Sequence, residues 1–378
     1  MERDVAVVLS GGAINGILLE LGFLKRLRES DLWPRVAAIY GTSAGALSGT
    51  MAAVDRLDAL EEFMLLLQPD DTFRAHSLWR LPLLGSHDFR LPETVTERVG
   101  DIAEITRELA RSPIEVIVYA TDVTDDFHSR TDADAYELRY SSREASPETM
   151  AQALFASAAV PALVLPRPVG DRIATDGAWV RNFPLAHAYQ RPGVELIVSF
   201  RYLPSYPRVQ ADWVPRLRRR LERFSKVPPV KALLSELREA EGRVERGEPA
   251  HWGDMIARLM RVAVQQNTVV EEVVATERDE ARAAFDSLRA DVDAIIRHEA
   301  GRRGDRVART VADRFAEAAL PFLGERRVPR IAVQSGAGGV SLEAGLRRPI
   351  PWPEDAKRAL IARGYALLDE ELAVREVA

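Results

Sequence analysis

Ser43 stands in Gly41-Thr42-Ser43-Ala44-Gly45, a Gly-x-Ser-x-Gly turn between an apolar strand pattern at 36–40 and a helical pattern that starts at Ala44. A turn of this form holds a serine on a tight strand-to-helix bend and pushes its hydroxyl outward. Gly41 and Gly45 flank the serine because side chains there would collide with the neighbouring strand and helix. A second glycine turn, Ser10-Gly11-Gly12-Ala13-Ile14-Asn15-Gly16, follows an apolar strand pattern at 5–9. It gathers backbone N–H groups at a helix N-terminus, where partial positive charge collects. A nucleophile beside an oxyanion site, both at the carboxyl ends of buried strands, points to acyl transfer. The candidate oxyanion donors are the N–H groups of Gly11, Gly12 and Ala13.

A serine nucleophile needs a base. Asp176, in Asp176-Gly177-Ala178, directly follows a short strand and from there can reach across the top of a sheet. The histidines are His76, His87, His128, His187, His251 and His298, and none sits in a local context that marks a triad base. His128 and His187 read as surface or capping residues. A Ser43–Asp176 dyad is the economical arrangement. An unperturbed Asp, with a pKa of about 3.9, is a feeble base for a hydroxyl. It serves only if partly desolvated, or if attack and proton transfer are concerted. Cysteine is absent, which excludes a thiol nucleophile, disulfides and Cys-ligated metals. No metal or cofactor is implied. A nucleotide phosphate is the other ligand a glycine turn suggests, but Gly-Gly-x-x-x-Gly is not the dinucleotide fingerprint Gly-x-Gly-x-x-Gly.

The elements that must position these residues alternate. Helical spacing runs over 17–28, 44–54 and 57–67, the last ended by Pro69, and again over 149–160, halted by Pro161. Strand patterns lie at 114–120, 172–175 and 195–201. The stretch 78–92 is apolar but irregular, a loop over the site or a satellite core. Trp79 and Trp179 read as core or pocket-lining residues. Composition shifts near Ser205-Tyr206-Pro207, and from about Trp213 to Leu320 the patterns are long, helical and charged. Strand character returns at 329–333, and a last amphipathic helix covers roughly 354–372. The chain has 378 residues and 47% apolar content, enough for a large core. The expected architecture is a three-layer α/β/α sandwich with a mostly parallel central sheet. Residues 1–208 with 326–378 form the α/β domain, and 209–325 form a helical insertion or lobe.

Four blocks in order resemble the patatin-like phospholipase family, relatives of the cytosolic phospholipase A2 catalytic domain. They are the glycine turn, the Ser43 elbow, Ala156-Ser157-Ala158-Ala159-Val160-Pro161, and Thr175-Asp176-Gly177-Ala178 followed by Asn182-Phe183-Pro184-Leu185. The resemblance implies that Ser43 is the nucleophile and Asp176 its base, with no histidine, and that Gly11, Gly12 and Ala13 form the oxyanion hole. It implies cleavage of lipid esters, of phospholipase A or lysophospholipase type. The family's turn usually reads Gly-Gly-Gly-x-Arg-Gly. Here Ala13 replaces the third glycine, a small change if its φ is negative, and Asn15 replaces the arginine, removing a charge near the oxyanion turn. Two other functions fit the same blocks: hydrolysis of soluble esters or thioesters on the same dyad, and lipid binding or scaffolding after loss of activity.

Trp213, Leu217, Leu221 and Phe224 recur at helical spacing among Arg216, Arg218, Arg219, Arg220 and Arg223, with Lys226 and Lys231 following. A basic amphipathic helix suits an anionic membrane, so 213–231 is a candidate for peripheral membrane contact. An ordinary helix packing its apolar stripe on the α/β domain weighs more. A net charge of −6 gives no reason to expect nucleic acid as a partner. No segment approaches the length of an apolar membrane span, and no leader pattern precedes the first strand, so the chain reads as cytoplasmic.

Overall fold

A mixed β-sheet forms the centre of the protein, in a computed structural model that describes residues 3–75, 87–124, 135–161, 163–203, 213–246, 248, 252–317, 328–340 and 351–377. β1 (Val5–Leu9) and β2 (Val36–Thr42) run parallel and are joined through α1 (Ala13–Arg28). Then come α2 (Ala44–Ala53), α3 (Leu57–Leu66) and the short α4 (Pro69–Thr72). A two-stranded ribbon, β3 (Phe73–Ala75) with β4 (His87–Phe89), precedes α5 (Leu91–Arg98) and α6 (Ile102–Arg111). Asp101 starts α6 by accepting the Ala103 N–H, which satisfies one of the free donors of a helix start. β5 (Glu115–Asp122) lies parallel to β2, with β6 (Glu137–Ser141) antiparallel beside it.

α7 (Pro147–Ser157), capped by Ser146, leads into the hairpin of β7 (Arg167–Val169) and β8 (Arg172–Asp176). β8 pairs antiparallel with β5. After α8 (Ala178–Arg181) and α9 (Leu185–Gln190), the chain returns to the other side of β1 as β9 (Leu196–Tyr202). Three helices follow, α10 (Trp213–Leu221), α11 (Pro228–Glu245) and the long α12 (Trp252–Glu317). β10 (Arg330–Ser335) adds a parallel edge and α13 (Glu354–Val377) closes the described chain. The strand order is β10-β9-β1-β2-β5-β8-β7, with β6 paired to β5 off this path.

Side chains on a strand alternate between faces, and here both faces are apolar. Val5, Val7 and Leu9 of β1, with Ile39, Val116 and Val118, meet α1, α2, α7 and α13 in one core. Ala6 and Val8, with Ala38, Tyr40, Ile117 and Tyr119, face Phe183, Leu185, Ala188 and Ala275 in the other. Helices on both faces of a mostly parallel sheet make the expected three layers. α1 and α13 pack almost backbone to backbone: a Cβ on Gly22 would fall 1.8 Å from the Ile361 carbonyl oxygen, and one on Gly364 1.9 Å from that of Leu19.

Two compact units emerge, residues 1–203 with 267–378, and residues 204–266. The division cuts α12, which runs unbroken from 252 to 317, whereas the composition shift would set the limits of the helical lobe at 209 and 325. Within the smaller unit Leu217 and Leu221 of α10 pack on Leu237, Ala240 and Val244 of α11, and Arg218 bonds the Glu241 carboxylate at 2.9 Å. The side chains of Trp213 and Arg216 lie outside the described residues, as do His76, Trp79, His128, His251 and Ser205-Tyr206-Pro207.

Candidate functional site

Ser43 leaves β2 with φ +52° and ψ −113°. Such a backbone costs a residue other than glycine on the order of 1–3 kcal/mol, and it turns the side chain out of the sheet. Its N–H donates to Ser157 Oγ at 2.8 Å, and that hydroxyl donates to the Tyr119 carbonyl at 2.6 Å. Thr42 Oγ1 donates to the Arg181 carbonyl at 2.6 Å, fixing the residue before the bend. The flanking glycines are steric requirements. A Cβ on Gly41 would fall 2.4 Å from the Gly45 carbonyl oxygen, and one on Gly45 would fall 2.6 Å from Leu9 Cβ.

Asp176 arrives on a strand antiparallel to β5, opposite Ala120. It therefore descends toward the elbow rather than emerging from a parallel strand end. Ser43 Oγ donates to Asp176 Oδ2 at 3.0 Å, and the Ala178 N–H donates to Oδ1 at 2.8 Å. Gly177 permits the approach, since a Cβ there would fall 2.2 Å from the Tyr119 carbonyl oxygen. Burial pushes the Asp176 carboxyl up to about 6, against the pull of its hydrogen bonds from Ala178 and Ser43. The group is then a stronger base than an ordinary aspartate and still largely ionised at neutral pH.

The glycine turn differs from expectation in one donor. The Gly11 N–H is engaged by the Asn182 carbonyl at 3.0 Å, so it does not point into the site. Gly12 and Ala13 keep N–H groups without a protein acceptor among the described residues, as the first turn of a helix must. What Gly11 contributes is closeness: a Cβ there would lie 2.4 Å from Asn182 Oδ1 and 3.4 Å from Ser43 Cβ. Ala13 has φ +48°, so the condition under which it costs little is not met. A left-handed alanine carries roughly 1–2 kcal/mol of strain.

Two asparagines brace this turn. Asn182 is buried and donates its Nδ2 to Thr268 Oγ1 of α12 at 2.5 Å. Asn15, where the resemblance would have an arginine, works as an amide clamp. Its Nδ2 donates to the Val340 carbonyl at 2.8 Å, and its Oδ1 accepts from Val340 N–H at 3.0 Å and Gly339 N–H at 3.3 Å. Ser157 and Asn182 stand in motifs that the sequence displays without their bracing roles, and Thr268 carries no sequence signal. Arg181 bonds Glu137 at 2.7 Å and also pairs with Glu271 of α12. His187 is no surface residue: it stacks on Tyr119 at 5.3 Å and approaches Glu137 at 3.3 Å. Trp179 is half-buried, and its carbonyl accepts from Asn267 at 3.2 Å.

Ser43 lines a partly open pocket. Its walls are almost wholly apolar, including Ile14, Leu47, Met51, Phe63, Phe73 and Phe155. Of the irregular stretch 78–92, the described part brings Phe89 and Leu91 to this wall. Among the described residues no three acidic or histidine side chains converge as metal ligands would.

Residues 7–189 match the family model for patatin-like phospholipases. The chain carries a patatin-like phospholipase domain. That family is one of lipid acyl hydrolases, with lipid esters as the substrate class. The matched segment ends beyond Asp176 and takes in both glycine turns. No curated protein matches the chain. Among solved structures, VipD from Legionella pneumophila is similar at 15% identity over 64% of this chain and 56% of that one, with a TM-score of 0.32. The chain thus spans little more than half of VipD, and a likeness of that degree carries no argument about this site.

Proposed function

We propose that this protein is a serine acyl hydrolase that cleaves lipid esters, of phospholipase A or lysophospholipase type, on a Ser43–Asp176 dyad. The observation that carries the reading is the 3.0 Å bond from Ser43 Oγ to Asp176 Oδ2, with Ser43 lining an apolar pocket. Asp176 takes the Ser43 proton as Oγ attacks the ester carbonyl. The N–H groups of Gly12 and Ala13, at the positive end of α1, receive the charge that develops on the carbonyl oxygen. Collapse expels the alcohol with the proton held by Asp176 and leaves an acyl group on Ser43. Asp176 passes that proton to the departing alcohol. It then takes a proton from a water whose oxygen bonds the acyl carbon, and returns it to Ser43 Oγ as the Oγ–acyl bond breaks and the fatty acid leaves. The apolar lining of the pocket suits an acyl chain.

In this reading the enzyme works in the cytoplasm without a cofactor, meets its lipid at a membrane surface through residues 213–231, and has no nucleic-acid partner. No helix among the described residues is long and apolar enough to cross a membrane. The test is hydrolysis of phospholipid vesicles and of a soluble short-chain ester by wild type, Ser43→Ala and Asp176→Asn. Vesicle hydrolysis lost in both variants supports the reading. Turnover of the soluble ester alone moves it to a general esterase or thioesterase. Absence of Ser43-dependent turnover on either substrate leaves a lipid-binding relative.

A further inference from the structure

The basic segment folds as a hairpin of α10 and α11 whose apolar stripe is already covered, because Leu217 and Leu221 lie against Leu237, Ala240 and Val244. The stripe on α10 is therefore not free to meet a bilayer. The turn between the helices is different. Phe224 is 52% exposed, Val227 44% and Leu233, one turn into α11, 40%. Pro228 and Pro229 directly follow Val227 and restrict the backbone there. Arg219, Arg220, Arg223, Lys226 and Lys231 are all exposed on the same short segment. None of these five pairs with a carboxylate among the described residues, whereas Glu222, the only acidic residue between 219 and 231, is paired with Arg218.

The rest of the protein opposes such a cluster, for the whole chain carries a net charge of −6. An anionic surface attracts a local group of unpaired cations even on a chain of negative net charge. Exposed apolar side chains beside cations add a second requirement. A nucleic acid or an acidic protein surface would use the cations and leave Phe224 and Val227 in water. The headgroup region of an anionic bilayer takes both, the cations at the phosphates and the apolar side chains just beneath.

We propose that the turn joining α10 and α11, with Phe224, Val227 and Leu233 set among five cations, docks this protein on an anionic lipid membrane. The inference rests on the hydrolase reading and narrows the membrane contact from a whole segment to one turn.

The experiment is sedimentation of Ser43→Ala protein with two kinds of vesicle, phosphatidylcholine alone and phosphatidylcholine with about a third phosphatidylglycerol. The protein is expected to sediment with the anionic vesicles at low salt and to remain in solution with the neutral ones. Each cation near an anionic leaflet is worth about fivefold in partitioning, so Lys226→Gln/Lys231→Gln is expected to weaken binding roughly 25-fold. Phe224→Asp, which withdraws a large apolar side chain, is expected to weaken it more than about tenfold. Both variants should melt with the parent protein, because the altered side chains are exposed. No sedimentation with anionic vesicles overturns the proposal. So does binding that ignores Phe224→Asp, which would be attraction to a polyanion and nothing more. Sedimentation of Ser43→Ala protein is blind to turnover. Failure to bind leaves the hydrolase reading standing, and absence of Ser43-dependent hydrolysis leaves the docking result standing.

Discussion

The Ser157 hydroxyl links the Ser43 turn to β5, accepting the Ser43 N–H at 2.8 Å and donating to the Tyr119 carbonyl at 2.6 Å. One fully buried side chain thus ties the strained elbow to β5, the strand against which Asp176 is also registered. Ser157→Ala strands a buried donor and a buried acceptor, at a cost of about 1–3 kcal/mol. The elbow then shifts relative to Asp176. Since a displacement of about 1 Å can cost on the order of 100-fold, kcat is expected to fall between about 10- and 100-fold with little change in KM. Steady-state kinetics on a short-chain ester check this, and a variant with unchanged kcat would remove Ser157 from the positioning role.

The carboxyl of Asp176 must be ionised to accept a proton, and burial pushes it up to about 6. The rate at low substrate is therefore expected to rise through a single ionisation near pH 6 and level off above it. A pH profile of kcat/KM measures this. A profile flat from pH 5 to 8 would speak against Asp176 as the base.

The same burial has a consequence for stability. In the folded protein the Asp176 carboxyl titrates above the 3.8 of an ordinary aspartate. Its contribution is therefore most favourable below about pH 4 and is lost as pH rises through about 6. Charging the buried carboxyl costs the fold on the order of 3 kcal/mol. Asp176→Asn is expected to melt above wild type at pH 8 and to lose that advantage at pH 4. Thermal unfolding at the two pH values decides it.

Ala13→Gly removes the left-handed strain at φ +48° and is expected to stabilise the fold by up to about 1 kcal/mol, the extra freedom of unfolded glycine offsetting part of the gain. Chemical denaturation measures the change. A lower midpoint in the variant would mean that Ala13 is not strained.

Thr268→Val takes away the acceptor of Asn182 Nδ2, the group that secures the residue engaging Gly11. The expected result is a fall in kcat of about tenfold with KM unchanged, recovered by Thr268→Ser, which keeps the hydroxyl. Activity retained by Thr268→Val and lost by Thr268→Ser would point to packing by the threonine methyl instead.

The elbow is legible from sequence because its constraints are local. Gly41 touches Gly45 four residues on, and the turn that exposes Ser43 is written in five letters. Asp176 is legible only through its motif, since nothing nearby shows that β8 runs antiparallel and brings the carboxylate down beside Ser43. Gly11 looks like an oxyanion donor until the fold presents the Asn182 carbonyl to it across a separation of more than 170 residues. Asn15 reads as the loss of a charge, but its amide answers backbone groups at 339 and 340 that no local pattern connects to it. The strands of both cores are visible as apolar runs. Their order is not, because β1 lies between β2 and β9 through pairings that depend on the whole chain.

The burial of Asp176 also bears on how a reaction at Ser43 would end. Hydrolysis of an acyl group there forms a carboxylic acid a few ångströms from an aspartate that is itself reluctant to be charged. Two carboxylates in one poorly solvated site do not ionise together without strong repulsion. Above pH 6 the newborn fatty acid and Asp176 repel each other, and the departing product is driven toward water. At lower pH a shared proton would hold the acid in place, so inhibition by free fatty acid should deepen as the medium becomes more acidic.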